Sequence, residues 1–509
     1  MLWDPSHDIA PQRVGLLSHG KMPNMTAYEE RMVMQEHQGH ESTTQTRAGT
    51  LLGSISEFCR RTGMAESTFG RRAVNDGKFV ARLRDGARVT PETLNRVNQF
   101  IASHGFTGPG DSPPELMALI RGGALQATQP PPAKPAPEKN FRFFDNRQKY
   151  LLFVNTCSEK DVVARRVGLE LGHIHPSPPA IRLFDAGMGD GTVLAGVMRE
   201  MHRRFPTVPF YIVGKEISLE DVRLSLRKMA DRFFEHPATA LVVTNMYYTE
   251  APWLTPRAVA AATSMVWHEV ALTGTTSHDF SEQIAALEPF LVKNWQAGLS
   301  PKSGNPVYEH PTALVIYRDD YRFLLDDVIP KRGAGRADYD MVIASQPYRL
   351  RAPLEFKAQR VIAPLVRALG KGGRLLGIHS YGHDPALEII QSVWPGENPY
   401  AHSRHDLLRA AKAELGRDAR RYNFNAYADA RALFRYDMHT LPSEISSSIG
   451  TSTLFAAWNA AIYVAQIEDQ RLSDVLKSTR YLDATREVLQ KHGALWFLDE
   501  SYVVSRKRD

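Results

Sequence analysis

The sequence predicts an α/β protein, with helices on both faces of a mostly parallel sheet and a closing antiparallel hairpin, preceded by a small all-α domain. Three observations lead to this. From Phe141 onward, short apolar runs alternate with segments of helical period. One of those runs ends in an acid and three alternating glycines, Asp185-Ala186-Gly187-Met188-Gly189-Asp190-Gly191. A Pro- and Gly-rich stretch separates all of this from several short helical patterns nearer the N-terminus. Strands alternating with helices form a parallel sheet because each crossover must bury its apolar stripe on a sheet face.

Composition sets the outer bounds. The chain has 509 residues, 43% hydrophobic and 23% charged, which excludes a wholly disordered or fibrous chain. No apolar run approaches the roughly 18 residues of a membrane span. The first residues lack a basic segment followed by an apolar one, so no secretory signal is expected. Cys59 and Cys157 are the only cysteines, too few for a disulfide framework, and a cytoplasmic protein is expected. The net charge of +6 is mild over this length, so its distribution matters more than its sum.

Residues 1–48 show little periodicity and read as a disordered leader. Residues 49–106 read as a helical domain. Ser54–Cys59 opens one short helix and Glu66–Val74 forms a second; Asn75-Asp76-Gly77 is a turn, and Phe79, Val80 and Leu83 give the face of a third. Thr90-Pro91-Glu92 has the N-cap and first-turn proline of a last helix, with Leu94, Val97 and Ile101 as its face. Residues 107–140 form a linker whose run of prolines favours extended, semi-rigid chain. Residues 141–509 form one further domain with insertions at about 255–335 and 400–490. Its expected strands are Ile181–Asp185, Phe210–Lys215, Ala240–Thr244, Tyr339–Ala344 and Gly373–His379, with a final hairpin from 494–497 and 502–505. In the first insertion, Phe280–Trp295 reads as one helix, and Leu314–Tyr317 with Tyr321–Phe323 as a hairpin; the insertion is expected to cap the cleft. In the second, the apolar helix at Thr453–Trp458 suits a homodimer interface or core packing.

The glycines after Asp185 remove Cβ atoms where the chain turns sharply and a ligand can approach the backbone. Their spacing is neither that of a dinucleotide fingerprint nor of a P-loop. The next strand closes on Glu216, where an acid can hold a ribose diol. Here the chain resembles the class I S-adenosylmethionine-dependent methyltransferases, whose Rossmann-like sheet carries an acid-x-Gly-x-Gly-x-Gly signature after its first strand and an acid closing its second. The resemblance covers roughly residues 141–394 and the end of the chain near 490–506. It implies S-adenosyl-L-methionine as cofactor, with Asp185, Gly187, Gly189 and Gly191 at its methionine part and Glu216 at its ribose. It also places Asn245, in Thr244-Asn245-Met246, beside the adenine.

A second motif, Ser345-Gln346-Pro347-Tyr348, closes the fourth strand, where open α/β sheets place substrate. It resembles the [Asn/Asp/Ser]-Pro-Pro-[Tyr/Phe] motif of amino-group methyltransferases, with Gln346 in place of the first proline. That implies acceptor-side roles for Ser345, Pro347 and Tyr348; a structural β-to-α turn is the alternative reading. His379 and His383 lie where the fifth strand runs out and are candidates for a general base or substrate ligand, or ordinary loop histidines. His268-Glu269 opens like a zinc-protease helix, but Leu272 stands where the second histidine belongs, so no metal is implied.

Residues 51–105 hold nine Lys and Arg against five acids. The order of short helices resembles the λ-repressor-like helix-turn-helix, which implies Lys78, Arg82 and Arg84 as contacts to DNA bases or phosphates; a helical domain whose solvated basic face contacts protein is the alternative reading. Three functions remain open on the sequence: a methyltransferase of unknown acceptor (an amino group on a small molecule, protein or base), a transcription regulator that senses the cofactor without catalysis, and a DNA-base methyltransferase. Against the last, the catalytic part shows no dense Lys/Arg cluster for a flipped-out strand.

Overall fold

The structure, a computed structural model, describes residues 147–300, 306–440, 442–445 and 448–508. Nearer the N-terminus it describes residues 64–85 with positions 52, 55, 56, 58–60, 93, 96, 97, 100 and 101. The leader, the linker and most of the helix expected after Thr90 lie outside the described residues. The chain divides into two compact units, Met1–Pro132 and Ala133–Asp509.

In the first unit, helix α1 (Glu66–Val74) is followed by α2 (Phe79–Arg84). Asn75, at φ 58°, ends α1 in the left-handed conformation that Asn tolerates well. Phe58, Phe69, Val80, Leu83 and Val97 form this unit's own core. Its aromatic centre is edge-to-face, with Phe69 and Phe100 ring centroids 5.4 Å apart.

The second unit is built on a ten-stranded sheet. Its parallel centre runs β3 (Thr239–Thr244), β2 (Phe210–Lys215), β1 (Ile181–Asp185), β8 (Tyr339–Ser345), β9 (Leu369–Ser380). Beyond β9, the long strand β12 (Trp496–Arg506) pairs antiparallel and in turn carries β10 (Tyr422–Asn425) and β11 (Leu433–Asp437). Beyond β3 the sheet continues through β7 (Thr312–Arg318), antiparallel, to the edge strand β4 (Val266–Leu272). A separate small hairpin pairs β5 (Ala297–Leu299) with β6 (Pro306–Tyr308).

Period-two alternation splits the strand residues between two cores. On one face Leu183, Ile212, Leu241, Met341 and Ile378 pack against α4 (Glu159–Leu171), α5 (Thr192–Arg204) and α6 (Leu219–Glu235). On the other, Phe184, Val213, Val242, Val342 and Leu375 pack against the helical stretch Leu354–Arg367 and α8 (Arg404–Leu415). A third apolar cluster joins α3 (Arg147–Thr156) with α7 (Pro385–Val393), α9 (Thr451–Val464) and α10 (Arg480–His492). Side-chain caps set several helix starts: Ser218 accepts from the Asp221 N–H at 3.3 Å, and Ser403 forms a reciprocal capping box with Asp406. Among the described residues no helix is long and apolar enough to cross a membrane.

Several expectations are corrected. The closing hairpin is one continuous strand, β12, because Asp499, Glu500 and Ser501 stay in register with Ser380, His379 and Ile378 rather than turning. Leu314–Tyr317 belongs to β7 inside the main sheet, and 319–325 is helical, so the hairpin expected there is absent. Phe280–Trp295 is two helices, Ser277–Ala285 and Glu288–Asn294, with Pro289 in the first turn of the second. His268-Glu269 lies on β4, a strand. Residues 400–490 contain the two short strands β10 and β11 besides helices. In α9, Leu454, Ala457, Trp458 and Ala461 are buried within the third cluster, which gives the Thr453–Trp458 segment a packing role.

Gly377 allows β9 and β12 to pack closely. A Cβ there would lie 2.1 Å from the Tyr502 ring, and Tyr502 is fully buried. Gly377→Ala should therefore destabilise the second unit by about 1–3 kcal/mol through overpacking. Chemical denaturation would read it as a lower midpoint at unchanged slope.

Candidate functional site

The strand order reverses at β1: β2 and β3 extend to one side, β8 and β9 to the other. At such a reversal the crossovers leave in opposite directions and a crevice opens beyond the carboxyl ends of the strands. A cavity of about 540 Å³ lies there, bounded by Gly187, Gly189, Glu216, Tyr248, Ser345–Tyr348 and, from helices outside the sheet, Tyr150 and Tyr463. That volume is of small-molecule size, within the roughly 300–1,000 Å³ range of ligand pockets.

The turn after β1 is fastened by backbone contacts. Ala186 N–H donates to Ile343 O at 2.9 Å, and Met188 N–H to Lys215 O at 3.1 Å. Gly187 is exposed to the cavity, and a Cβ there would meet nothing within 4 Å. Gly189 takes φ +51°, and its N–H donates to Glu216 Oε2 at 3.0 Å. Gly191 differs from both: it is buried at φ +79°, and a Cβ would lie 2.4 Å from Ser225 Oγ of α6. Its glycine serves close packing of α5 on α6, and it does not border the cavity.

Glu216 bounds the cavity and is the junction of the site. Oε1 accepts from the N–H groups of Ile217 at 2.8 Å and Ser218 at 2.9 Å, while Oε2 accepts from Gly189. Trp295 Nε1 donates to the Glu216 carbonyl at 2.9 Å, fixing its backbone from the inserted segment. A carboxylate offers about four acceptor sites, and three are taken.

Asp185 is buried. Its Oδ1 accepts from Gly187 N–H at 3.2 Å, whereas Oδ2 has no hydrogen-bond partner. Burial pushes its pKa up to about 7, with Glu216 adding to the rise and the Gly187 N–H and Lys160 opposing it. A buried oxygen left unpaired is costly.

Asn245 is elsewhere. Its Nδ2 donates to His310 O at 2.9 Å and its Oδ1 accepts from Thr312 N–H at 2.8 Å. The amide joins the end of β3 to the start of β7, and it does not border the cavity. A polar residue after a third strand gives no hint of this, because the strand it fastens comes from the insertion.

On the opposite wall Ser345 is half-buried at the end of β8. Gln346 takes φ +47°, and its Nε2 donates to Ser380 Oγ at 3.1 Å. Proline, locked near φ −65°, cannot adopt that angle. This loop therefore excludes the proline of the Pro-Pro pattern at this position, and its backbone path is its own. The Pro347 carbonyl accepts from Tyr248 Oη at 2.9 Å. Tyr348 contributes to the wall, while its hydroxyl is turned to His379 Nδ1 at 2.9 Å. His379 Nε2 pairs with Glu500 Oε1 at 2.6 Å, and Arg404 Nη1 with Glu500 Oε2 at 2.8 Å. Burial raises the Glu500 carboxyl, but His379 and Arg404 outweigh it and hold the pKa below the ordinary value. His379 is thus buried in a polar chain behind Tyr348, which corrects its reading as a free base. His383 takes φ +56° beside Tyr381 and does not border the cavity.

No motif points to the helix-borne walls. Tyr150 exchanges hydrogen bonds with Asp190 and closes over the glycine turn, a Cβ at Gly189 lying 3.2 Å from its hydroxyl. Lys160 pairs with Glu159 at 3.1 Å; burial lowers its pKa, but Glu159, Tyr463 and Asp190 raise it further and keep it charged. The first insertion contributes Ser300, Pro306 and Val307, so the small hairpin borders the cavity while β4 and β7 extend the sheet. Among the described residues no group of three metal-ligating side chains occurs.

In the first unit, Lys78, Arg82 and Arg84 are exposed. Arg82 pairs with Asp76, and Arg84 with Glu66 at 2.9 Å.

No protein-family model matches the chain, and no curated protein matches it. Solved structures do. Geranyl diphosphate C-methyltransferase from Streptomyces coelicolor A3(2), in complex with Mg2+, geranyl diphosphate and S-adenosyl-L-homocysteine, is 14% identical, with 68% of this chain and 77% of that chain covered and a TM-score of 0.26. A geranyl diphosphate methyltransferase in complex with SAM is 12% identical over 68% and 85%, TM-score 0.25. Phospholethanolamine N-methyltransferase 2 of Haemonchus contortus is 9% identical over 68% and 52%, TM-score 0.21. Scores at this level carry no argument about chemistry, so the functional reading rests on the cleft.

Asp185 yields a pH test. Its folded pKa of about 7 lies above its ordinary 3.8, so between those values the folded state holds a proton that the unfolded state has lost. Its contribution to stability is full below about pH 4 and is lost as pH rises to about 7. Asp185→Asn should remove that loss: the variant should gain on the wild type by on the order of 2–4 kcal/mol between those pH values. Parallel denaturation curves of the two proteins across the range would check it.

Proposed function

We propose that this chain is an S-adenosyl-L-methionine-dependent methyltransferase. The observation that carries the reading is a convergence. The Gly187–Gly189 turn, Glu216 and the Ser345–Tyr348 loop come from three strands and meet at one cavity, at the point where the sheet order reverses.

The residues fit the cofactor. Gly187 and Gly189 leave the turn without side chains, so a ligand can lie against the backbone. The unpaired Oδ2 of Asp185 would accept from the cofactor's amino group. Glu216 would accept from the ribose hydroxyls with its remaining site, and with a second one if the Gly189 N–H lets go. When bound, the group supplies an electrophilic methyl on a sulfonium sulfur. The chain's own work is then to bind, to orient and to keep water out. Ser345 and the Pro347 carbonyl would accept from an acceptor N–H or O–H, and the Tyr348 ring would form the wall it packs on. Glu500 and His379 would hold that ring in one orientation from behind.

The test has two parts. S-adenosylhomocysteine should raise the melting temperature of the full chain, by about 2.7 kcal/mol of stability at a hundredfold excess over Kd, and Gly189→Val should abolish that rise. Tyr348→Ala should keep the rise and stop formation of S-adenosylhomocysteine from S-adenosylmethionine in a cell extract. Stabilisation by NAD instead would overturn the cofactor. Binding without turnover in the wild type would favour a sensor.

For the first unit we propose contact with duplex DNA through Lys78, Arg82 and Arg84. The supporting observation is a short turn between α1 and α2 with exposed arginines on α2, whose surface ion pairs are worth only about 0–1 kcal/mol and exchange readily for phosphates. Binding by the full chain should weaken with salt, at about −0.9 in log K per log[salt] for each phosphate contacted, and Arg82→Ala should make the slope shallower. No gel shift at low salt would reject it.

A further inference from the structure

Lys215 is the last residue of β2. Strand alternation places it with Tyr211 and Val213, on the same sheet face as Phe184 and Tyr348. It borders the cavity and is half-buried. Among the described residues its ammonium has neither a carboxylate within ion-pair distance nor a hydrogen-bond acceptor. The contact it makes is with the Tyr248 ring, 5.1 Å from Nζ to the centroid. The Tyr248 hydroxyl reaches the Pro347 carbonyl, so the ammonium stands on the acceptor side of the cleft. Glu216 follows it directly in the chain but spends its carboxylate on three backbone N–H groups.

Other lysines near the cavity are matched within the protein. Lys160 pairs with Glu159, Lys228 with Asp190 at 3.1 Å, and Lys357 donates to the Leu350 carbonyl at 2.7 Å. An ammonium at a cavity wall with no anion beside it can take one from a ligand, and the pair strengthens as the ligand excludes water. Burial pulls the Lys215 pKa below its ordinary value, with Glu216 opposing.

The remaining walls describe the rest of such a ligand. Tyr247, Tyr248, Tyr348 and Phe356 offer ring faces for a planar or apolar body. The cavity is also lined by the carboxylates of Glu159, Glu216 and Asp221 and by the cations of Lys160, Arg349 and Arg360.

We propose that Lys215 holds a carboxylate of the methyl acceptor, and that the acceptor carries it on a planar or apolar body. This rests on the cleft being a methyl-transfer site. The methyl need not go to that carboxylate; the ammonium anchors it while another atom faces Ser345 and Pro347.

The test is calorimetry on the full chain saturated with S-adenosylhomocysteine. The probes are benzoate, phenylacetate and naphthoate, each against its own carboxamide, and inorganic phosphate. At least one carboxylate should bind about tenfold more tightly than its amide, the size of one charge-assisted hydrogen bond. Lys215→Met should erase that preference, Lys215→Arg should keep it, and both variants should bind S-adenosylhomocysteine within about twofold of wild type. Equal binding of acids and amides throughout, or a preference that survives Lys215→Met, would overturn the proposal. Phosphate as the sole Lys215-dependent probe would overturn the carboxylate. A large loss of S-adenosylhomocysteine affinity in Lys215→Met alone would reassign the lysine to the cofactor. If the wild type binds no S-adenosylhomocysteine, the cofactor reading fails, and the same acid and amide series without it still reads Lys215.

Discussion

The site depends on one carboxylate. Glu216 draws the N–H of Gly189 from the turn after β1 and those of Ile217 and Ser218 from its own turn, joining two turns whose bonded residues, Gly189 and Glu216, are 27 apart in sequence. Charge-assisted bonds to backbone N–H groups are stronger than neutral ones and fix the chain rather than a side chain. They hold Gly189 at its positive φ and keep the floor of the cavity open. The same interaction poses the problem the ligand must solve, since a ribose has to share or displace contacts already made. Tyr150, above, and Trp295, behind, limit how far the clamp can move.

Around that junction, the sheet supplies position and the added helices supply walls. Reversal of strand order at β1 opens the crevice, and parallel pairing of β1 with β2 and β8 brings Asp185, Glu216 and Ser345 to the same edge. The antiparallel additions act differently at the two ends. At one end β12 brings Glu500 against His379 and so supports Tyr348. At the other, β7 and β4 widen the sheet, and Asn245 is spent on joining them. The insertion thus converts a residue that could have faced a ligand into a structural fastener.

The central strands were legible because each is a short apolar run flanked by turn residues, and their bounds differ by at most a few residues from those expected. The glycine turn and the acid at Glu216 were legible because backbone geometry demands those residue types. Gly191 was not separable from Gly187 and Gly189, since its reason, the approach of Ser225, lies on a helix more than thirty residues on. The strand β4 was missed because an edge strand is half-exposed and its His-Glu pair drew a helical reading. The long β12 was misread because Asp499-Glu500-Ser501 has turn composition; these residues are buried because their partners, Ser380, His379 and Arg404, come from distant segments. Tyr150, Lys160 and Lys215 belong to no motif, and only the folded chain brings them to the cavity.

The most direct measurement of the central claim is a crystal structure of the full chain grown with S-adenosylhomocysteine. The ribose hydroxyls are expected on Glu216, the amino group on Asp185 Oδ2 and the sulfur facing the Ser345–Tyr348 loop. Density for the ligand outside the β1/β8 crevice, or Glu216 keeping all three N–H groups with no ribose contact, would contradict it.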